Sequence, residues 1–244
     1  MKYPYWAYPV YRSLWVVLDL LYPPTCGGCG APARRWCGSC QEAVQLITST
    51  VCEKCGLPLE NQVACSRCRT VLPHFHKLRS WSVFESPVKE ALHRLKYRRD
   101  LGLGEAIANQ MLDFVAILDW QIEEIIPIPL GKQRLKQRGY NQVAMIAFPL
   151  ALMLGISYHP NALIRIRETK SQVGLNASQR SENMRNAFRA DAAINGKRVL
   201  LVDDVATTGA TLSSAAEALY QAGARRVYAV TVARALPVHG LIHV

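Results

Sequence analysis

Four consecutive aliphatic residues, Val199 to Val202, run into two adjacent carboxylates, Asp203 and Asp204, then into a short polar loop and an apolar-periodic segment. That order reads as a buried strand over 198–203, a loop, and a helix from about 209 to 222. A further strand is expected over 226–233. Upstream, Trp81 to Phe84 reads as a short strand, and Pro87 opens a helix through about Tyr97 with Val88, Leu92 and Leu95 on one face. Gly102 and Gly104 lack the preceding strand and third glycine of a dinucleotide-binding fingerprint, so they are expected only to start a helix over 104–118. A strand over Ile122–Ile128, a helix from Asn141 to Leu154 despite Pro149, and a strand over Ala162–Ile166 complete the pattern. Strands alternating with helices predict an α/β fold with a doubly wound parallel sheet.

The N-terminal apolar run, Leu14–Tyr22, is nine residues long and is interrupted by Asp19. A spanning helix needs about 20 apolar residues, so no transmembrane segment is expected. Pro4, Pro9 and Arg12 are expected to stop the run from extending upstream. It reads as a short amphipathic helix packed on the rest of the chain, with a peripheral membrane or partner contact as the alternative. Residues 69–79, with Pro73, His74 and His76, lack periodicity and are taken as the boundary between an N-terminal segment (1–24), a Cys-rich module (25–70) and the main domain (80–244).

Cysteine changes the picture most. All eight lie between Cys26 and Cys68, as four Cys-x-x-Cys pairs. One such pair offers two thiolates to a tetrahedral ion, and two complete a structural four-Cys zinc site. The short gaps predict two zinc ribbons, the first from Cys26, Cys29, Cys37 and Cys40 and the second from Cys52, Cys55, Cys65 and Cys68. Interleaved pairing is the alternative. A disulfide scaffold would need an oxidising compartment, and no signal peptide is evident.

The formal net charge is +11, and it is spread over the chain: residues 1–79 carry nine Lys and Arg against four Asp and Glu. Such a balance favours anionic partners: phosphate substrates and, on weaker grounds, nucleic acid. Lys132, Arg134, Lys136 and Arg138 crowd into seven residues after the Ile122–Ile128 strand, where they suit a pyrophosphate. The segment 167–189, with Arg167, Lys170, Arg180, Arg185 and Arg189, reads as a loop able to close over a polyphosphate, with a helix around Ser178–Asn186.

The loop after Asp204 carries Thr207, Thr208, Gly209, Ala210 and Thr211. Its backbone N–H groups and hydroxyls, at a helix N-terminus, suit a phosphate. Asp203 and Asp204 repel phosphate but accept hydrogen bonds from vicinal ribose hydroxyls. The pattern resembles the phosphoribosyl pyrophosphate (PRPP) site of type I phosphoribosyltransferases, with Ala206 standing where many members carry a larger aliphatic.

The resemblance extends along most of the chain. Leu21 to Gly30, the later Cys knuckles, Leu95-Lys96-Tyr97, Arg138-Gly-Tyr-Asn-Gln142, the 169–188 stretch and the 199–211 loop resemble the ComF family. That resemblance implies a zinc module joined to a phosphoribosyltransferase domain, located in the cytoplasm and associated with competence for natural transformation. It implies transfer of a 5-phosphoribosyl group from Mg²⁺-bound PRPP with release of pyrophosphate. In that picture Asp203 and Asp204 hold the 2- and 3-hydroxyls, residues 207–211 hold the 5-phosphate, and Lys132 and Arg134 stabilise the pyrophosphate, with Lys96 and Arg138 as further candidates. A hood from residues around 81–100 and 156–166 would select an acceptor that no residue identifies. Implied partners are single-stranded DNA and a DNA helicase or other competence proteins. A non-catalytic module that senses PRPP or a nucleotide and binds DNA or a helicase is the alternative; Trp36, Trp81, Tyr97 and Tyr140, near basic residues, are its candidate base-stacking groups.

Overall fold

The structure is a computed structural model that describes residues 3–4, 6–59, 63–167 and 186–236. The helix α1 spans Ala7–Leu21, and two short helices, α2 (Gly38–Glu42) and α3 (Ser66–Thr70), follow in the Cys-rich part. Then come β1 (Lys77–Val83), α4 (Val88–Tyr97), α5 (Gly102–Ala116), β2 (Glu124–Pro127), α6 (Lys132–Arg138) and α7 (Gln142–Leu154). The chain continues through β3 (Ser157–Tyr158), β4 (Leu163–Arg165), β5 (Phe188–Ala190), β6 (Arg198–Ala206), α8 (Ala210–Gln221) and β7 (Arg226–Arg234).

Five strands form one sheet in the order β1-β7-β6-β2-β3, every neighbour parallel. Its centre is the aliphatic run of β6, with Val199 to Val202 fully buried. Strand periodicity sends alternate residues to opposite faces. Leu200 and Val202 join Leu92, Leu95, Ile107 and Ile146 under α4, α5 and α7, while Val199 and Leu201 join Leu212, Ala215 and Leu219 under α8. Such two-sided burial is what an all-parallel sheet requires.

Most expected elements are present, with shifts. The first strand starts at Lys77, inside the expected boundary segment, because Phe75 and Leu78 are core residues. Residues 81–100 contribute this edge strand and α4 to the main fold, not a separate hood. The expected strand at 162–166 is real but pairs antiparallel with β5 as a two-stranded arm outside the main sheet. The crowded basic segment is the helix α6 rather than a loop. The helix α1 begins at Ala7, upstream of the expected start, because Pro9 falls in its first turn, where no intrahelical N–H bond is lost. Lys170, Arg180, Arg185 and the helix expected around 178–186 fall almost wholly outside the described residues.

Gly102 and Gly104 do start a helix, and close packing explains both. A Cβ on Gly104 would lie 2.4 Å from the carbonyl oxygen of Met145, and one on Gly102 would overlap the Arg35 guanidinium. The first contact brings α5 against α7 backbone to backbone. Gly104→Ala is therefore expected to cost about 2 kcal/mol or more, measured as a lower urea midpoint at an unchanged slope.

Candidate functional site

The site follows from strand lengths. β2 stops at Pro127, opposite Val202, and the Ile128 N–H closes the last bond, to the Val202 carbonyl, at 2.9 Å. β6 runs on through Asp203, Asp204, Val205 and Ala206, held by β7 alone. β2 leads to β3 on one side and β6 leads to β7 on the other, so the crevice beyond β2 lies at the topological switch point, where open parallel sheets bind ligands. An open cavity of about 650 Å³ fills it, lined by Lys96, Arg134, Arg138, Asp203, Asp204 and Thr211, among others.

Two adjacent carboxylates in a partly dry crevice cannot both ionise freely. Asp204 is buried, and its Oδ2 accepts from Lys96 Nζ at 3.0 Å and from Gln142 Nε2 at 2.7 Å. Burial works against its charge, but the Lys96 ammonium and the Gln142 amide outweigh it and hold its pKa below the usual carboxylate range. Asp203, with no such ion pair among the described residues, accepts the Asp204 backbone N–H at 2.9 Å. Burial first and the Asp204 charge second push its pKa up to about 8, against the pull of Lys96 and Arg165. Of the two acids, Asp204 is the one whose charge is supported and Asp203 the one that holds its proton more tightly.

The turn after β6 is tight. Gly209 has φ +75, a left-handed conformation open to glycine at little cost, and it starts α8. Thr208 is buried and its Oγ1 accepts the Ala210 N–H at 3.4 Å, so this hydroxyl caps the helix. Of the proposed phosphate loop, Thr211 lines the cavity. Of the proposed pyrophosphate residues, Arg134 lines the cavity and Arg138 joins it; Lys132, at the start of α6, is exposed and does not line it.

The cysteines converge in two sets, Cys26, Cys29, Cys37 and Cys40, and Cys52, Cys55, Cys65 and Cys68. The sequential pairing holds, and interleaving does not occur. Sulfurs sit 3.5 Å apart for Cys26–Cys40, 3.7 Å for Cys29–Cys37 and 3.6 Å for Cys55–Cys65. A tetrahedral zinc with bonds of about 2.3 Å sets sulfurs about 3.8 Å apart, and a disulfide needs about 2.05 Å. The two sets are zinc sites. In each, a cysteine caps a short helix: Cys37 Sγ accepts the Cys40 N–H, and Cys65 Sγ accepts the Cys68 N–H.

Comparison with known proteins agrees with this geometry. Residues 17–69 match the model of the double zinc ribbon domain, and residues 143–236 match that of the phosphoribosyl transferase domain. The DNA utilization protein YhgH of Salmonella typhimurium is 32% identical over 227 residues, spanning 89% of this chain and 100% of that one. Competence protein F of Haemophilus influenzae is 30% identical over 82% of this chain and 90% of its own, and competence protein ComFC of Bacillus subtilis is 30% identical over 79% and 80%. The chain belongs to the ComF family. Among solved structures, the glutamine PRPP amidotransferase of B. subtilis is 21% identical with a TM-score of 0.36, over 58% of this chain and 27% of that one.

The Arg-Gly-Tyr-Asn-Gln motif of this ComF protein has a physical account. Arg138 lies 5.3 Å over the Tyr97 ring and donates to Gln142; Tyr140 Oη donates to the Leu95 carbonyl. Gly139, with φ +83, ends α6, and Asn141 caps α7 while its Nδ2 donates to the Ile128 carbonyl at 2.9 Å. Gln142 then reaches Asp204. All five residues fix the position of Lys96, Tyr97 and Asp204. The sequence marks Gln142 only as a member of the 138–142 motif and gives Arg165 no role; their signal is the convergence itself. Of the stacking candidates, Trp81 and Tyr140 are structural, Trp36 is half-buried with its indole on Gln41, and Tyr97 is 66% exposed.

Two predictions follow from these contacts. By carboxyl NMR, Asp203 titrates near 8; Asp204→Asn lowers that midpoint by about one unit, since a like charge is removed, and Lys96→Met raises it. Arg234, buried at the end of β7 opposite Ala206, donates to the Cys55 carbonyl at 2.8 Å and lies 3.8 Å from Cys55 Sγ, and it has no carboxylate partner among the described residues. The second zinc–thiolate centre is its counter-charge. Cys65→Ser is therefore expected to lower stability by several kcal/mol, more than Cys37→Ser at the more exposed first centre, as read by urea unfolding.

Proposed function

We propose that the crevice binds PRPP with Mg²⁺ and that the protein is a phosphoribosyltransferase-like enzyme serving DNA uptake. The observation that carries this is that Asp203, Asp204, Thr211, Arg134 and Arg138 line one cavity at the switch point. Asp203 and Asp204 accept from the ribose 2- and 3-hydroxyls. Thr211 and the N-terminus of α8 take the 5-phosphate, and Arg134 and Arg138 face the pyrophosphate. The residues fit the metal, because a carboxylate pair provides the hard oxygen ligands that Mg²⁺ prefers; when bound, it neutralises charge on the pyrophosphate.

In transfer, the bond from C1 of the ribose to the pyrophosphate oxygen breaks and a bond from C1 to the acceptor nucleophile forms. The Asp204 charge favours the positive charge that develops on the ribose, and Arg134 and Arg138 stabilise the departing pyrophosphate. A second reading, binding without turnover, is favoured by the Lys96–Asp204 pair, which offsets the Asp204 charge in the crevice. Under either reading, single-stranded DNA is the partner that the names of the competence-protein relatives and the basic, Tyr97-bearing rim support.

Calorimetry with PRPP and Mg²⁺ is expected to show one site per chain, with Asp203→Asn and Asp204→Asn each weakening it tenfold or more. No heat, or full affinity in both variants, would overturn the assignment. Because an ionised Asp203 accepts a hydroxyl more strongly than a protonated one, and its pKa is raised, affinity is expected to rise with pH through about 8. The Asp203→Asn variant should lose that dependence. Pyrophosphate release with an acceptor separates transfer from sensing.

A further inference from the structure

The helix α1 is amphipathic, but it is turned the wrong way round for a helix that packs on a core. Its inward seam is Tyr8, Tyr11, Trp15 and Asp19. Tyr8 Oη donates to Glu105 Oε1 at 2.7 Å and lies 3.0 Å from Asn109 Oδ1, and Tyr11 packs edge-on against Phe148 at 5.5 Å. Asp19 pairs with Arg35, whose guanidinium lies 5.0 Å over the Trp15 ring. The polar handles thus face the protein. The outward face carries Val10, Leu14, Val16, Val17, Leu18, Leu20 and Leu21, from 44% to 80% exposed, and α1 buries no residue at all.

At about 100° per residue those seven positions sweep roughly 200° of the helix. Their arc contains one polar side chain, Ser13, and its hydroxyl donates to the Pro9 carbonyl at 2.9 Å, so it needs no outside partner. No carboxylate stands on this face. Arg12 is exposed beside it, and Trp6 and Tyr22, 56% and 76% exposed, stand at its two ends.

We propose that α1 lies in the plane of an anionic bilayer surface, its outward arc sunk into the boundary between headgroups and acyl chains. The arc of roughly 200° is wider than the stripe of about 100° or more that packing on a protein requires, which favours a bilayer over a groove or a second copy. A bilayer surrounds a half-sunk helix over a wider angle. Aromatic ends suit the interfacial depth, and Arg12, on a chain of net charge +11, suits anionic headgroups. Fifteen residues span about 22 Å, against about 30 Å for a hydrocarbon core, so the helix lies on the surface and does not cross; no helix among the described residues is long and apolar enough to cross.

The test floats the full chain with vesicles of phosphatidylcholine containing about one-third phosphatidylglycerol, and with phosphatidylcholine alone. The protein is expected to rise with the anionic vesicles and less with the neutral ones. Leu14→Ser combined with Leu18→Ser should cut the bound fraction roughly tenfold or more, with circular dichroism and zinc content unchanged. Arg12→Glu should reduce binding to the anionic vesicles only. The proposal fails if the chain stays at the bottom with both vesicles, or if the double variant floats like the parent. It fails equally if the chain forms a dimer that the double substitution splits and does not float, which would assign the face to a second copy.

Discussion

A carboxylate buried beside another carboxylate keeps its charge only if a cation is built against it, and the Lys96–Asp204 contact meets that demand. The geometry around the crevice serves this contact. Lys96 comes from the last turn of α4, Gln142 from the first turn of α7, and Asp204 from the part of β6 that outruns β2. Three elements of distant sequence must meet within a few ångströms. Loop geometry alone is too soft to hold them, so the connections are tied by Asn141 on the Ile128 carbonyl and Tyr140 on the Leu95 carbonyl.

The chemistry of this site was more legible in the sequence than its architecture. Both cysteine sets were readable because ligand spacing is a local constraint, and the sulfur distances agree with it. The acidic pair and its turn were readable because strand, acids, threonines and glycine are contiguous. What could not be read was which cations meet which acids. Lys132 and Arg138 look alike in a basic run, but helical geometry places them apart, and only Arg138 lines the cavity with Arg134. Nor could pattern show that Asp203 and Asp204 differ, since that difference comes from Lys96, more than 100 positions away.

The rotation of α1 is a related case. The sequence predicts a short amphipathic helix packed on the rest of the chain, and α1 is such a helix, but burial of apolar area, the largest favourable term in folding, does not choose the face it turns inward. Here the Tyr8 hydroxyl and Asp19 have partners on α5 and at Arg35, and those directional contacts set the rotation of the helix. Periodicity reports that a helix has two faces; it does not report which one the rest of the protein can satisfy.

The zinc ribbons are less separate from the crevice than their compact spacing implies. The second centre shares one apolar cluster with Phe75, Leu78, Ala206 and Leu212, beneath the turn that follows Ala206. The first centre holds α4: Arg94 donates to the Cys26 carbonyl at 2.6 Å and to Thr25 Oγ1 at 2.8 Å, two residues before Lys96. Gly27 packs so closely on Leu103 and Ala91 that a Cβ there would lie 2.5 Å from a leucine methyl. Metal loading and folding are one equilibrium in such ribbons, so the placement of Lys96 on one side of the crevice and of Ala206 on the other both depend on it. Read this way, the zinc module completes the crevice: it positions the cation that keeps Asp204 charged and the strand end from which the phosphate turn departs.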